Sequence, residues 1–100
     1  MIVERRTYKV KPFCERATVD FAKEAFKVFG YPNVQRIYIP ISGPFNVVYH
    51  EIEFKDWQER EKFWADFADF FALPQMPEWI EKWKELTESG GSTEFLSLVE

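Results

Sequence analysis

Polar side chains recur at alternate positions along three segments that have the composition of β-strands. Because alternate residues of a strand point to the same side of a sheet, each group shares one face. The side chains are Glu4, Arg6 and Tyr8 in the first segment, Arg36 and Tyr38 in the second, and Tyr49 and Glu51 in the third. We predict that they lie near an open sheet face and line a ligand-binding cavity. A buried ion-pair network or a polar dimer interface is the alternative interpretation.

These residue types suit the recognition of small polar groups. An arginine can hold a carboxylate through two parallel hydrogen bonds, and a tyrosine hydroxyl can orient a carbonyl or a phenol. In a pocket of low dielectric, the pKa of a glutamate rises toward the range of a general base. The set therefore predicts either binding or acid–base chemistry.

Two further side chains are candidates for chemistry. His50 has an ordinary pKa near neutrality, so it is a candidate general base or axial haem ligand. Its alternation with Val48, Ile52 and Phe54 favours a buried structural histidine instead. Arg60 projects from the apolar stripe of a predicted helix, where it can reach a ligand, reach a carboxylate of the third strand, or extend to solvent.

Hydrophobic periodicity and turn residues predict seven elements. Asp56 with Glu59 is typical of a helix start, and Gly30 and Gly90 are typical helix stops. We predict strands over 1–10, 34–41, 46–54 and 93–99, and helices over 15–29, from 56 to about 71, and from Pro77 to near Ser89. Gly90, Gly91 and Ser92 are interpreted as a connection.

This order predicts an α+β fold of the ferredoxin-like βαββαβ type. Its four-stranded antiparallel sheet has helices on one face, and an extra short helix precedes the last strand. We expect one domain over residues 1–100. The other sheet face is bare in a single copy, and the chain has 19% aromatic residues, many for one small core. Pairing two such sheets face to face predicts a homodimeric α/β barrel.

Composition excludes several classes of protein. No apolar run approaches the roughly 20 residues of a membrane span, and charges stand where a signal peptide is apolar. Cys14 is the single cysteine and His50 the single histidine, which predicts a cytoplasmic protein without a disulfide or metal site. The net charge of −4 arises mainly from residues 37–100, where acidic residues outnumber basic ones. Such a surface repels phosphate, so we expect no nucleic-acid partner.

The opening segment resembles the first strand of the NIPSNAP family, in the dimeric α/β-barrel superfamily. Members often begin with a Glu-x-Arg-x-Tyr strand that ends in Lys-Pro-Gly. The matching residues are Glu4, Arg6, Tyr8, Lys11 and Pro12. Phe13 stands where glycine is usual, so the entry to the first helix is expected to differ.

Two later stretches also look similar to that family. His50 precedes Arg60 by ten residues, with the aromatic Phe54 between them, although Ile52 replaces a tryptophan. Residues 77–79, Pro-Glu-Trp, resemble the family's Asp-Pro-x-Trp turn with methionine in place of the aspartate. The resemblance implies a homodimer with a cavity more firmly than it implies a reaction.

Three functional hypotheses remain open. The first is a protein that binds a small molecule or a protein partner in or around the cavity between the sheets, without catalysis or a cofactor. The second, implied by the wider superfamily, is a cofactor-free monooxygenase or isomerase acting on an aromatic or keto substrate. The third is a haem-binding relative that uses His50.

Overall fold

Residues 1–99 form four strands and three helices in the predicted order. The structure is a computed structural model that describes residues 1–99. The elements are β1 (Ile2–Val10), α1 (Glu15–Phe29), β2 (Gln35–Tyr38), β3 (Val47–Phe54), α2 (Trp57–Phe70), α3 (Met76–Leu86) and β4 (Thr87–Ser97). The ferredoxin-like βαββαβ arrangement with an additional helix before the last strand is confirmed.

The four strands form one antiparallel sheet in the order β2-β3-β1-β4. In its register, Arg6 of β1 lies opposite His50 of β3, and Tyr8 lies opposite Val48. Residues at paired positions share a sheet face, so β1 presents Arg6 and Tyr8 on the side where β3 presents His50. This side is covered by the three helices.

Two predicted helix ends are confirmed. Gly30 has φ +72° and donates its N–H to the carbonyl of Phe26, 2.9 Å away, which ends α1 in the left-handed conformation. Asp56 accepts a hydrogen bond from the backbone N–H of Glu59 at 2.8 Å, so it caps the start of α2.

The predicted boundary between the last helix and the last strand is wrong. α3 ends at Leu86 rather than near Ser89, and β4 begins at Thr87 rather than at residue 93. The strand starts early because it pairs with the whole of β1, from Val10 opposite Thr87 to Ile2 opposite Ser97. Gly90 therefore does not stop a helix.

Gly90 and Gly91 instead form an irregularity inside β4. The register with β1 shifts between Thr7 and Lys9, where β4 carries extra residues. Gly90 has φ +98°, and a Cβ on Gly91 would lie 2.4 Å from the carbonyl oxygen of Thr7. Glycine is needed at position 91 because the backbones of β1 and β4 approach so closely there.

The apolar core lies between the sheet and the helices. One cluster contains Ile52 and Phe54 of β3 with Phe63 of α2, and a second contains Val10, Val19 and Val48. β2 is shorter than predicted, since the strand ends at Tyr38. Within residues 1–99, no helix combines the length and the apolar composition needed to cross a membrane.

Candidate functional site

Glu4 is the centre of a charged cluster beneath the helices. Its side chain is fully buried. Its carboxylate accepts hydrogen bonds from Nε of Arg6 at 2.7 Å, from Nε of Arg60 at 2.8 Å and from the indole N–H of Trp64 at 3.1 Å. Since Arg60 and Trp64 belong to α2, this cluster joins the helix to the middle of the sheet.

The cluster holds Glu4 in its charged form. Burial by itself would raise the pKa of the Glu4 carboxyl, because it disfavours the anion. The hydrogen bonds from Arg60 and Arg6, with the charge of Arg6, outweigh burial and leave that pKa below its ordinary value of 4.5. One carboxylate therefore lies between two guanidinium groups.

A second polar chain begins at Tyr8. Its hydroxyl lies 3.1 Å from Nδ1 of His50, and Nε2 of His50 lies 2.8 Å from Oε1 of Gln35. Because an amide oxygen only accepts, Nε2 donates to Gln35 and Nδ1 accepts from Tyr8. Both ring nitrogens are thus engaged by protein groups.

Burial keeps both members of this chain neutral. Desolvation, aided by the positive charge of Arg6, lowers the pKa of His50 to about 4. Desolvation also raises the pKa of Tyr8 above its ordinary value of 10.0. At neutral pH the hydrogen-bonded pair of Tyr8 and His50 therefore consists of a phenol and an uncharged imidazole.

A cavity of about 300 Å³ lies between the sheet and the helices, beside both polar groups. Arg6 and Tyr8 supply the polar part of its wall. The remaining wall is almost entirely aromatic or aliphatic: Phe21, Ala22, Ala25, Phe26, Trp64, Phe67, Phe70, Phe71, Met76, Trp79, Ile80 and Trp83. The guanidinium of Arg6 stacks on the Trp64 ring at 4.2 Å from the ring centre, and the Trp83 ring meets Tyr8 edge-on at 5.0 Å.

The opposite sheet face carries a different set of charged and aromatic side chains. Arg36 is ion-paired to Glu53 at 2.6 Å, and the Tyr38 hydroxyl donates to Glu51 at 3.1 Å. The guanidinium of Arg5 lies over the Tyr49 ring, 4.5 Å from its centre. No helix covers this face within the part of the chain that the structure describes.

The predicted residue set is therefore divided between two faces. Arg36, Tyr38, Tyr49 and Glu51 lie on the open face, as expected. The expectation that Glu4, Arg6 and Tyr8 also lie near that face is wrong, because the register of β1 against β3 turns them toward the helices. Of these three residues, Arg6 and Tyr8 line the cavity, and Glu4 binds Arg6 without lining it.

The structure also decides where His50 and Arg60 lie. His50 is fully buried, packs with its ring 4.8 Å from that of Phe26, and is absent from the cavity wall. Its two nitrogens already have partners, so the arrangement does not offer it as a haem ligand. Arg60 neither contacts a carboxylate of the third strand nor extends freely to solvent, since it binds Glu4 of β1.

Two participants were missed by sequence reasoning. Gln35 orients His50, and Trp64 donates to Glu4, although neither residue was among the candidates from the sequence. In α2, Trp64 lies one helical turn after Arg60, so the two side chains are neighbours on the same helix face. This spacing could have indicated that both bind the same group. Among residues 1–99, no three His, Cys, Asp or Glu side chains come together as a metal-binding group.

Comparisons with known proteins support the fold. No protein-family profile matches the sequence, and no curated protein matches it. The chain is similar to the solved structure of an uncharacterized NIPSNAP domain protein from Burkholderia xenovorans, with a TM-score of 0.75, 19% identity, and coverage of 99% of this chain and 95% of that one. It is also similar to a NIPSNAP family protein from Agrobacterium tumefaciens, with a TM-score of 0.76, 17% identity, and coverage of 99% and 93%.

The likeness extends to an enzyme of the same general shape. An antibiotic biosynthesis monooxygenase matches with a TM-score of 0.62, 13% identity and full coverage of both chains. Identities this low establish a shared fold rather than a shared activity. The chain therefore has the fold of the NIPSNAP domain proteins, as the residues of its first strand indicated.

Proposed function

We propose that this chain binds a small molecule with an aromatic or apolar body in the cavity between its sheet and its helices. The observation that carries the proposal is the composition of the cavity wall, in which Arg6 and Tyr8 are set into a surface of aromatic side chains. Ligand sites typically combine such an apolar lining with a few oriented polar groups. The volume of about 300 Å³ suits a ligand of one or two rings.

The orientation of the two polar groups supports the same function. Arg6 is fixed by Glu4 and Trp64, and Tyr8 is fixed by His50 and Trp83. Groups that are already ordered lose little conformational freedom when a ligand arrives, so binding costs less. The apolar wall would hold the body of the ligand while these groups orient its polar end.

Titration with naphthoate and with neutral naphthamide, followed by tryptophan fluorescence and calorimetry, tests this proposal. We expect saturable binding of at least one probe. Ala25→Leu places extra atoms in the cavity wall and should weaken binding by about tenfold or more, since the added side chain competes for the same space. Ala17→Leu, on an exposed site of the same helix, is the matched control. Failure of both probes to bind, or equal binding by both variants, would overturn the proposal.

A second candidate is the cofactor-free monooxygenase activity suggested by the antibiotic biosynthesis monooxygenase of the same fold. The observation in its favour is the Tyr8–His50 hydrogen bond at the cavity wall, which can pass a proton. With a pKa of about 4, His50 is a weak base at neutral pH, so ligand binding is the function that the geometry supports better. Oxygen uptake with a naphthol probe that disappears in Tyr8→Phe would favour the enzyme.

We also propose that a second copy of the chain covers the open sheet face. This face has Tyr38 at 41% and Leu96 at 39% exposure, together with paired charges of both signs. A patch with charges of both signs can pair with its own copy across a two-fold axis, which is the arrangement of an isologous dimer. Native mass spectrometry should give about twice the chain mass of 12.0 kDa. A monomer at all accessible concentrations would contradict it.

A further inference from the structure

The charges around the cavity do not balance. The two guanidinium groups of Arg6 and Arg60 share the single carboxylate of Glu4. The remaining polar groups of the region, Tyr8 and His50, are neutral at pH 7. The cluster therefore carries one net positive charge beside an apolar cavity, on arginine side chains that are only 30% and 29% exposed.

The two arginines occupy different positions relative to the cavity. Arg60 points toward β4, with its guanidinium 5.2 Å from the centre of the Phe95 ring, and it is absent from the cavity wall. Arg6 belongs to the wall. The unbalanced charge is thus presented to a ligand by Arg6.

The contacts of Arg6 also determine which of its atoms face a ligand. Its Nε donates to Glu4 at 2.7 Å, and its planar group stacks on Trp64. These two contacts fix both the position and the plane of the guanidinium. The terminal Nη nitrogens lie beside the Tyr8 hydroxyl and are the donors left to face a ligand, in a planar geometry that matches the two oxygens of a carboxylate.

We propose that the cavity selects a singly charged anion, a carboxylate attached to an aromatic or apolar body, and that Arg6 is the residue that recognises its charge. This inference rests on the proposed function, because it names the ligand class of the same cavity. One carboxylate neutralises the excess charge, and the aromatic wall holds the body. A neutral amide of the same shape leaves Arg6 without its counter-charge.

Comparison of naphthoate with naphthamide tests this selectivity in the unmodified protein. A hydrogen-bonded charge pair contributes about 1.5–3 kcal/mol, so naphthoate should bind about tenfold or more tightly. High salt should weaken naphthoate binding more than naphthamide binding. Equal affinities would overturn the inference while leaving the proposed function intact, whereas absence of binding by both probes would overturn the proposed function as well.

Substitution of Arg6 assigns the preference to one side chain. Arg6→Met removes the charge and keeps the length, so the preference for naphthoate should disappear while naphthamide still binds. Arg16→Met, in an exposed pair with Asp20, makes the same chemical change away from the cavity and should keep the preference. Arg6→Lys, once circular dichroism has shown that the variant is folded, should retain charge selectivity but bind less tightly. Retention of the full preference in Arg6→Met would assign it to another residue and overturn the proposal.

Discussion

At the scale of single residues, the cavity side of the sheet depends on polar groups that are buried with their partners. Glu4 is charged and His50 is neutral, although both are fully buried and both adjoin Arg6. The difference lies in the contacts: Glu4 receives hydrogen bonds from two cationic groups, whereas His50 is bonded to a phenol and an amide. Each group therefore makes stability depend on pH in its own window.

The single histidine permits a direct test. In the unfolded chain His50 binds a proton below its ordinary pKa of 6.5, but in the folded chain that pKa is about 4. Between these values the unfolded state holds more protons, so the free energy of unfolding falls as the pH falls. The slope should approach about 1.4 kcal/mol per pH unit, which amounts to about 1.5 kcal/mol between pH 6.5 and 5 because His50 is already half-protonated in the unfolded chain at pH 6.5.

Urea unfolding measured at these pH values checks the prediction. Carboxyl groups titrate mainly below pH 5, so the interval above it reports on His50. His50→Gln should remove the slope in that interval. An unchanged slope in this variant would show that another group is responsible.

Glu4→Gln should destabilise the protein by about 2–3 kcal/mol, because it leaves Arg6 and Arg60 without a counter-charge under the helices. The control is Glu81→Gln, which breaks an exposed pair with Lys84 and should cost at most about 0.5 kcal/mol.

Since the Glu4 pKa is lowered on folding, the contribution of the Glu4 carboxylate to the free energy of unfolding is present above its ordinary pKa of 4.5 and is lost as the pH falls below it. Equal effects of the two substitutions in urea unfolding would be inconsistent with this role.

At the scale of elements, the entry to α1 contains a strained residue. Phe13 has φ +65° and is 98% exposed, so its side chain contributes little packing while its backbone adopts a conformation that favours glycine. The position where Lys-Pro-Gly would place a glycine thus has a backbone conformation that favours glycine, although phenylalanine occupies it in this chain.

Phe13→Gly should raise the free energy of unfolding by about 0.5–1 kcal/mol, since relief of strain of about 1–2 kcal/mol exceeds the entropy cost of glycine. Phe45→Gly is the matched control, because Phe45 is equally exposed but is not among the residues with positive φ. It should give no gain. Thermal unfolding compares the two variants. Equal shifts in melting temperature would contradict the presence of backbone strain at Phe13.

Gly91→Ala should destabilise the β1–β4 pairing by about 2 kcal/mol or more, because the added Cβ meets the Thr7 carbonyl at 2.4 Å. Gly43→Ala provides the comparison. Gly43 has φ +99° with no atom within 4 Å, so alanine there costs only backbone strain of about 1 kcal/mol. Hydrogen exchange of the β4 amides should accelerate in the first variant alone. If Gly91→Ala leaves the exchange of the β4 amides unchanged, the close approach of the two backbones does not determine the stability of the β1–β4 pairing.

The elements also show which features a sequence determines. The alternation of β3 predicts its buried face correctly, because Val48, Ile52 and Phe54 form one apolar side of the strand. β1 has polar residues on both sides, with Glu4 and Arg6 on one and Arg5 and Thr7 on the other. Hydrophobicity therefore cannot select its inward face, and only pairing with β3 does so. The prediction that Gly90 stops a helix was wrong for a related reason. The residues around it pair with β1, and this long-range pairing cannot be seen in the local sequence.

At the scale of the whole molecule, β4 connects the cavity region with the open face. Phe95 points toward the helices and contacts Trp57, while its neighbour Leu96 lies opposite Val3 on the open face. Alternation along one strand thus places one residue beside the Arg60 guanidinium and the next in the proposed dimer interface.

Leu96→Glu should weaken the proposed dimer by about tenfold or more, because it would place a carboxylate in the contact beside Glu94. Val28→Glu introduces the same charge at a site of 49% exposure on α1 and should leave the association unchanged. Sedimentation velocity over a range of concentrations compares the two. Identical dimer dissociation constants for the two variants would show that Leu96 is not part of the interface.

β4 is also a long strand at the end of the sheet, and its outer edge has no partner strand within residues 1–99. An edge of this kind is a template on which strands of other molecules can add without limit, the first step toward fibrous aggregates. The glycine irregularity interrupts that edge, and Glu88 and Glu94 place negative charge along it. The same interruption that complicates pairing with β1 therefore denies an incoming strand a continuous ladder of backbone hydrogen bonds.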